Sequence, residues 1–214
     1  DFIVRSDRIA RAALGKERRI GIALDEWGVW HPEARPWGPG DVQRREPITY
    51  EQANTLRDAL AAAVALEGFH RQCNVLSLAN LAQIVNVLQS VVNTEGPQLW
   101  LTPTYHALRL HAPHIGATAL PVDVSGGASL PDGSPAVSGT ASQRAGRLAV
   151  TVINRHYQQG AEVAVKAEHT GAATAQLLAA DAADAGNSAS RPDAVAPVAL
   201  SVQRDGANWR IELP

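Results

Sequence analysis

The chain contains the stretch Ile20-Gly21-Ile22-Ala23-Leu24-Asp25-Glu26-Trp27-Gly28-Val29-Trp30, in which an apolar run leads into two carboxylates and two tryptophans. A continuous apolar run that ends in charge predicts a strand buried on both faces, as in a parallel sheet. In a β/α barrel the reacting groups lie at the C-terminal ends of such strands, which makes Glu26 the candidate catalytic residue. A carboxylate that only pairs with an arginine at a strand end is an equally good interpretation of the spacing alone.

The segments on either side of this strand have the pattern of helices. Residues 2–14 carry apolar side chains at roughly helical spacing, and Gly15 follows as a C-cap. Downstream, Thr49 and Gln52 form a capping box that predicts the start of a helix running to about His70. The strand is therefore expected to lie between two helices.

A second helix-strand step is predicted further along the chain. A strand is expected over residues 75–79, and the polar Asn86 in the apolar stretch that follows is expected to bond to backbone. Thr102 with Pro103 predicts the start of a short helix that runs to about residue 110. Alternating helices and strands over residues 1–115 favour an α/β architecture, with β/α units of the kind that build a (β/α)8 TIM barrel.

The C-terminal half has the pattern of an all-β domain. Residues 125–146 are rich in Gly, Ser and Pro, which predicts a linker with flexible turns. Short apolar or alternating bursts predict antiparallel strands over 148–153, 161–165, 198–202 and 209–213. The alanine-rich segment 173–183 is assigned as strand because of its position, and 185–197 as a loop. These segments predict a β-sandwich over residues 116–214.

Composition and charge exclude several classes of function. A net charge of −2 and the lack of a basic stripe argue against a nucleic-acid partner. No apolar run reaches the ~18–20 residues of a membrane span. Cys73 is the single cysteine, which excludes an internal disulfide and weakly favours a cytoplasmic location. His106, His111 and His114 lack Cys or acidic partners at ligand spacing, so neither a metal site nor a cofactor is expected.

The hexapeptide Asp25–Trp30 resembles the Asp-Glu-Trp-Asn-Val-Trp signature of the family 51 glycoside hydrolases, which are chiefly α-L-arabinofuranosidases. Further segments resemble the family in the same order along the chain: Gly68–Arg71, Leu81–Val87, Thr94–Gly96 and Thr104–His106. An ordered series of this kind is far more specific than a single hexapeptide. Gly28 stands where many members carry Asn, a mild departure that leaves the carboxylate and both indoles in place.

The resemblance assigns roles to individual side chains. It implies that Glu26 is the nucleophile of a retaining mechanism, which needs two carboxyl groups about 5 Å apart. It also implies that Gln83 contacts the sugar or the nucleophile. Trp27 and Trp30 would give flat walls for a sugar ring, and Trp37 either lines the pocket or packs within its own loop. The family's acid/base is a glutamate after an asparagine at a strand end, and the sequence has no such pair.

The expected protein is the C-terminal portion of an α-L-arabinofuranosidase that releases non-reducing terminal α-L-arabinofuranosyl residues from arabinose-containing polysaccharides and oligosaccharides. Its expected partners are the glycan substrate and a missing N-terminal part of the barrel, because the sequence has no methionine and opens within a patterned segment. A homo-oligomer is also expected. The alternatives are another activity of the same family, xylosidase or endoglucanase, and a non-catalytic carbohydrate-binding or assembly module.

Overall fold

A computed structural model describes residues 2–15, 18–34, 49–167 and 171–214 of the chain. The elements of the first half are, in order, α1 (Phe2–Leu14), β1 (Ile22–Trp27), α2 (Leu56–Arg71), β2 (Leu76–Leu81), β3 (Val92–Glu95), β4 (Gln98–Leu101) and α3 (Pro103–His111). Short 3-10 helices follow β1 and α3, at Pro32–Ala34 and Ala112–His114. None of the helices in these ranges is long and apolar enough to cross a membrane.

Helix α1 confirms the first helix prediction. It ends at Gly15, whose φ of 72° is a left-handed conformation that glycine adopts at low cost. The Gly15 N–H donates to the Arg11 carbonyl at 3.1 Å, which satisfies one of the last carbonyls of the helix. No residue of α1 is buried, and the side chains of Phe2 and Ile9 are exposed.

Strands β1 and β2 form a parallel pair, with Leu24 opposite Ala79 and Trp27 opposite Leu81. Helix α2 connects them, as the predicted β/α pattern requires. The prediction that β1 is buried on both faces is wrong for the described residues, since all of its side chains are half-buried or exposed. The reason is that β1 pairs with β2 alone in this part of the chain. Because one parallel pair is a small part of a closed barrel, the barrel stays a prediction.

Helix α2 begins later than the capping box of Thr49 and Gln52 predicts. Its N-cap is Thr55, and Asp58 at position N3 accepts hydrogen bonds from the Thr55 N–H and Oγ1, both at 2.8 Å. The side chain of Gln52 is instead bonded to the backbone that follows β1. Gln52 bonds to this backbone rather than capping a helix at Thr49. It is buried, and a buried side-chain amide needs hydrogen-bond partners.

The following elements include a hairpin that the sequence analysis does not contain. Strands β3 and β4 are antiparallel, with Glu95 opposite Gln98 and Gly96 at a φ of 55° in the turn. Helix α3 confirms the prediction at Thr102 and Pro103, since the Thr102 Oγ1 accepts from the Tyr105 N–H at 3.3 Å. Helices α2 and α3 pack against each other, and Trp27 at the end of β1 packs against the alanines between them.

The second half is made of short antiparallel strands: β5 (Thr118–Leu120), β6 (Val137–Arg144), β7 (Arg147–Asn154), β8 (Ala161–Lys166), β9 (Ala175–Leu177), β10 (Val198–Leu200), β11 (Gln203–Asp205) and β12 (Asn208–Leu213). Hydrogen bonding joins them in the orders β5-β6-β7, β11-β12-β8 and β10-β9. Four predicted strands are confirmed as β7, β8, β10 and β12. Only residues 175–177 of the alanine-rich segment are strand, and 185–197 contains no strand or helix, as predicted. The sandwich stays a prediction.

Strand β6 corrects the prediction that residues 125–146 are a linker. Its small and polar side chains give little strand signal, yet it pairs with β7 from Val137 to Arg144. Ala145 and Gly146 join the two strands with φ values of 48° and 75°. Two residues at positive φ suit the twist of a tight hairpin. Alanine rarely occupies such a position, so its presence does not predict this turn.

Candidate functional site

Glu26 lies one residue before the end of β1, and its side chain is exposed. Within the ranges that the structure describes, its carboxylate forms no hydrogen bond or ion pair. The alternative in which this acid merely pairs with an arginine therefore finds no partner in those ranges. An accessible carboxylate without a partner is free to face a ligand.

Gln83 follows the end of β2, after a cis peptide bond between Ala82 and Gln83. The Ala82 N–H donates to the Trp27 carbonyl at 2.9 Å, so the segment that carries Gln83 is bonded directly to the end of β1. The Gln83 side chain is exposed. The structure thus brings Glu26 and Gln83 to the same carboxyl edge of the parallel pair.

The predicted tryptophans have different surroundings. Trp27 is half-buried and meets Phe69 of α2 edge to face, with ring centroids 5.1 Å apart. It also packs against the buried alanines of the α2/α3 contact, Ala59, Ala62 and Ala107. Trp30 meets Tyr50 at 6.5 Å and packs against a second small core, formed by Ala34, Ala82 and Leu88. Both indoles have apolar neighbours within the chain, and Trp37 lies outside the described residues.

The backbone turns sharply after Trp27, at the position where the resemblance has its one departure. Gly28 has a φ of 145°, a conformation that side-chain-bearing residues rarely adopt. A Cβ placed there would lie 3.2 Å from the Ala82 carbonyl oxygen and 3.4 Å from the Gln89 Oε1. Glycine at position 28 is therefore required by this geometry rather than being a mild exchange.

Two buried glutamines hold this turn: Gln89, to which the sequence assigns no role, and Gln52, which it assigns to a helix cap. Gln89 accepts from the Val29 N–H at 2.7 Å through its Oε1. Gln52 donates to the Val29 carbonyl at 2.9 Å and accepts from the His31 N–H at 3.0 Å. We refer to residues 28–31 as the β1 turn and to the two glutamines as its clamp. No local motif predicts this role for either glutamine, because their bonds to the turn join residues distant in sequence.

A hydrogen bond between His31 and the buried Asp58 also supports this turn. The Asp58 Oδ1 lies 2.7 Å from the His31 Nε2, while its Oδ2 serves the cap of α2 at Thr55. Both Asp58 oxygens are therefore used, and the side chain is buried. This arrangement occupies Asp58 with structural bonds, whereas Glu26 is exposed at the same carboxyl edge as Gln83.

The segment after β2 is held in a different way, by bonds to its own neighbours. Asn86, at a φ of 59°, accepts from the Thr94 N–H at 2.7 Å and donates to the Thr94 Oγ1 at 3.0 Å. The predicted structural role of Asn86 is thereby confirmed. The Val91 and Val92 N–H groups both donate to the Ile84 carbonyl, which closes the segment locally.

Three histidines meet on the other side of α2 and α3. The rings of His70 and His114 have centroids 4.9 Å apart, and those of His111 and His114 are 5.4 Å apart. Burial, helped by the charges of the other two histidines, lowers the pKa of His111 to about 4. Burial also lowers the pKa of His114, whose ring nitrogens bond Ser142 and Thr151. Among the described residues no group of acids, cysteines and histidines could hold a metal ion.

Comparison with known proteins identifies the relatives of this chain. An intracellular exo-alpha-L-arabinofuranosidase of Bacteroides ovatus is 34% identical over 206 residues, which are 93% of this chain and 38% of that protein. The crystal structure of the GH51 arabinofuranosidase from Xanthomonas axonopodis pv. citri superposes with a TM-score of 0.76 at 32% identity. That superposition covers 91% of this chain and 39% of the other, so this chain spans about four tenths of these relatives' length.

A more distant structure shows that the fold extends further than the sequence similarity. The alpha-L-arabinofuranosidase from Thermotoga maritima, solved as an arabinose complex, superposes with a TM-score of 0.77 at 22% identity. The superposition covers all of this chain and 45% of the Thermotoga maritima chain. Residues 25–214 also match the model of the alpha-L-arabinofuranosidase C-terminal domain. Because this match takes in most of the chain, and the GH51 relatives agree with it, the protein belongs to the alpha-L-arabinofuranosidase C-terminal domain family.

Proposed function

We propose that the whole protein is a retaining α-L-arabinofuranosidase of glycoside hydrolase family 51, and that this chain supplies its nucleophile, Glu26. The single observation that carries the proposal is the exposed, unpartnered Glu26 carboxylate beside Gln83 at one edge of a parallel strand pair. The names of the relatives support the activity. The substrate would be a non-reducing terminal arabinofuranosyl residue of a polysaccharide or oligosaccharide.

In this mechanism the Glu26 carboxylate attacks the anomeric carbon and the glycosidic bond to the leaving oxygen breaks, which gives a covalent glycosyl-enzyme. An acid/base carboxyl about 5 Å away protonates the leaving oxygen and then activates the water that releases the sugar. Asp58 and Glu67 are buried and engaged in structural bonds. The sequence also lacks the glutamate after an asparagine that the family uses as its acid/base. We therefore propose that the acid/base comes from a part of the whole protein outside this chain.

Gln83 is proposed to position the sugar or the nucleophile, since its exposed amide follows the strand that pairs with β1. A hydrogen bond to a charged group contributes about 1.5–3 kcal/mol, so Gln83→Ala should lower kcat/KM without unfolding the protein. If Gln83→Ala lowers the melting temperature steeply while the folded enzyme keeps normal kinetics, Gln83 is structural. Trp27, Trp30 and Trp37 are proposed as further substrate contacts, and Trp27 is half-buried between α2 and the strand edge.

The proposed architecture places residues 1–115 in the last β/α units of a TIM barrel and 116–214 in a β-sandwich. The whole protein is proposed to be a cytoplasmic homo-oligomer. The name of the Bacteroides ovatus relative, which is called intracellular, supports this location.

The proposal is tested by Glu26→Gln in the whole protein, with Asp25→Asn as the matched control. Glutamine is nearly isosteric but cannot attack the anomeric carbon, so hydrolysis of an aryl arabinofuranoside should fall below about a hundredth of the original rate. Asp25 is the neighbouring exposed acid on β1, and its amide variant should keep the rate within about tenfold. A Glu26→Gln protein with more than a hundredth of the rate would contradict the nucleophile. A module that only binds glycans would show reversible binding and no hydrolysis.

A further inference from the structure

Gln89 is unusual because it is a completely buried polar side chain, with 0% of its surface exposed, directly behind the β1 turn. Its Oε1 accepts from the Val29 N–H at 2.7 Å. Its Nε2 donates to the Asp58 carbonyl at 2.8 Å and to the Thr104 Oγ1 at 3.2 Å. An amide in the interior costs free energy unless such partners are present, so Gln89 is held in one orientation.

The bonds of Gln89 join three separate elements at one point. Asp58 belongs to the first turn of α2, Thr104 to the first turn of α3, and Val29 to the β1 turn. With Gln52 on the other side, both polar groups of Val29 and the N–H of His31 are bonded to side chains of the clamp. The shape of the β1 turn is thereby fixed relative to the two helices rather than by bonds within the turn.

The position of this turn matters because it begins two residues after Glu26. A nucleophile must be held close to its productive geometry, and a displacement of about 1 Å can reduce a rate about a hundredfold. Gln89 is closed off from solvent and cannot touch a substrate. Any effect of Gln89 on catalysis must therefore be indirect, and among its hydrogen-bond partners Val29 lies nearest to Glu26 along the chain.

We propose that Gln89 is a positioning residue: through the Val29 N–H it sets the backbone at the end of β1 and so the direction of the Glu26 carboxylate. This inference rests on the proposed role of Glu26. Gln89→Met keeps the approximate volume and removes all three bonds. In the whole protein it should lower kcat about tenfold to a hundredfold and leave KM within about twofold.

The matched control is Asn187→Leu. Asn187 also makes three amide bonds to backbone, to the Leu101 carbonyl at 2.8 Å and to the Val195 carbonyl and N–H at 2.9 and 2.7 Å, and none of these partners lies in the β1 turn. It should lose thermal stability as Gln89→Met does, but keep kcat per folded molecule. If both variants lose kcat in proportion to the folded fraction alone, Gln89 is only structural and the inference is wrong.

A milder variant decides the question if Gln89→Met does not fold. Thr104→Val is isosteric and removes only the hydroxyl that holds the Gln89 amide. A kcat lowered at least about threefold at unchanged KM supports the positioning role, and an unchanged kcat overturns it. Glu26→Gln is measured beside these variants. Activity retained in Glu26→Gln overturns the proposed function, whereas its loss together with a normal Gln89→Met overturns only the inference about Gln89.

Discussion

The two ends of helix α2 each carry a buried carboxylate, but the two carboxylates serve different parts of the molecule. At the first turn, Asp58 bonds the N-cap Thr55 and the imidazole of His31 in the β1 turn. Near the last turn, Glu67 bonds Arg71 and accepts from the Ser138 hydroxyl of β6 at 2.6 Å. One helix therefore supports the candidate site at one end and the β5-β6-β7 sheet at the other.

The partners of the two acids differ in their access to water. Asp58 and Glu67 are each 1% exposed, but the His31 side chain is 14% exposed and that of Arg71 is 59% exposed. A partner left alone near water can be solvated, whereas a partner left alone in the interior cannot. Asp58 and Glu67 are equally buried, but removing Asp58 should lower the free energy of unfolding more. The reason is that its partner His31 is less exposed to water than Arg71, the partner of Glu67.

The largest loss of stability is expected for Asp58→Ala. It removes the cap of α2 and leaves the His31 ring without its partner, so unfolding should become about 2–4 kcal/mol easier. Because the clamp is anchored on the same helix turn, kcat should fall as well. Urea unfolding followed by circular dichroism measures the first effect. A loss below about 1 kcal/mol would show that the turn is held without Asp58.

The second test uses acid at the other end of α2, where His70 meets His111 and His114. Burial lowers the pKa of His111 from 6.5 to about 4, so the folded state favours the neutral ring. The stability of the fold with a neutral His111 ring is fully present above pH 6.5. It is lost as the pH falls towards 4, because His111 takes up its proton at a higher pH in the unfolded chain than in the folded protein. The free energy of unfolding should fall by on the order of 3 kcal/mol over this range.

Thermal unfolding between pH 7.5 and 4 checks this, with His111→Gln flattening the curve. His156→Gln is the matched control, since His156 lies in the turn after β7, away from the cluster, and accepts only the N–H groups of Gln158 and Gln159. It should keep the original slope. An equally steep loss in His111→Gln would assign the acid sensitivity to other groups.

The third test is Glu67→Ala, which should cost about 1–3 kcal/mol, less than Asp58→Ala. Arg71 can turn to water, so the main loss is the bond from Ser138. The kcat of the folded protein should not change, because the bonds of Glu67 go to Arg71 and Ser138 and not to the clamp or the β1 turn. A cost equal to that of Asp58→Ala, measured in the same urea experiment, would remove the distinction between the two ends.

The smallest effect is expected for Ser138→Ala. It deletes one hydroxyl that donates to Glu67 and leaves the ion pair with Arg71 in place. Stability should fall by about 1 kcal/mol with no change in kcat or KM. The difference between Ser138→Ala and Glu67→Ala then measures what Arg71 contributes. If Ser138→Ala costs more than Glu67→Ala, the hydroxyl has a role beyond this bond.

The sequence predicted those parts of the structure whose signals are local. Helix α1 and its Gly15 cap, the start of α3 at Thr102, and the bonds of Asn86 to Thr94 all involve residues at most eight positions apart. Glu26 and Gln83 were predicted as site residues because an apolar strand precedes each of them and the family resemblance covers both, and their roles stay predictions. Their meeting at one edge follows from the parallel pairing of β1 and β2.

The parts that could not be predicted depend on contacts between distant residues. Nothing in the neighbourhood of Gln89 indicates that its partner is Val29, and Gln52 was interpreted as a capping residue because Thr49 lies three residues before it. Strand β6 has small and polar side chains, and its pairing with β7 is what defines it. For the β1 turn and for β6, the structure depends on contacts between two distant segments, so neither segment alone predicts it.

The bond between Val29 and Gln89 spans sixty residues of chain, and this has a consequence for the order of assembly. During synthesis from the N-terminus, β1 and α2 emerge long before the side chain that fixes the turn between them. The Val29 N–H has its acceptor only after β2 and the segment that contains Gln89 have been synthesised. The Gln89 amide has its bond to Thr104 only after a further stretch of chain. Closing so long a loop is slow relative to forming a helix. The edge that carries Glu26 is thus completed late, after the helices that support it have formed.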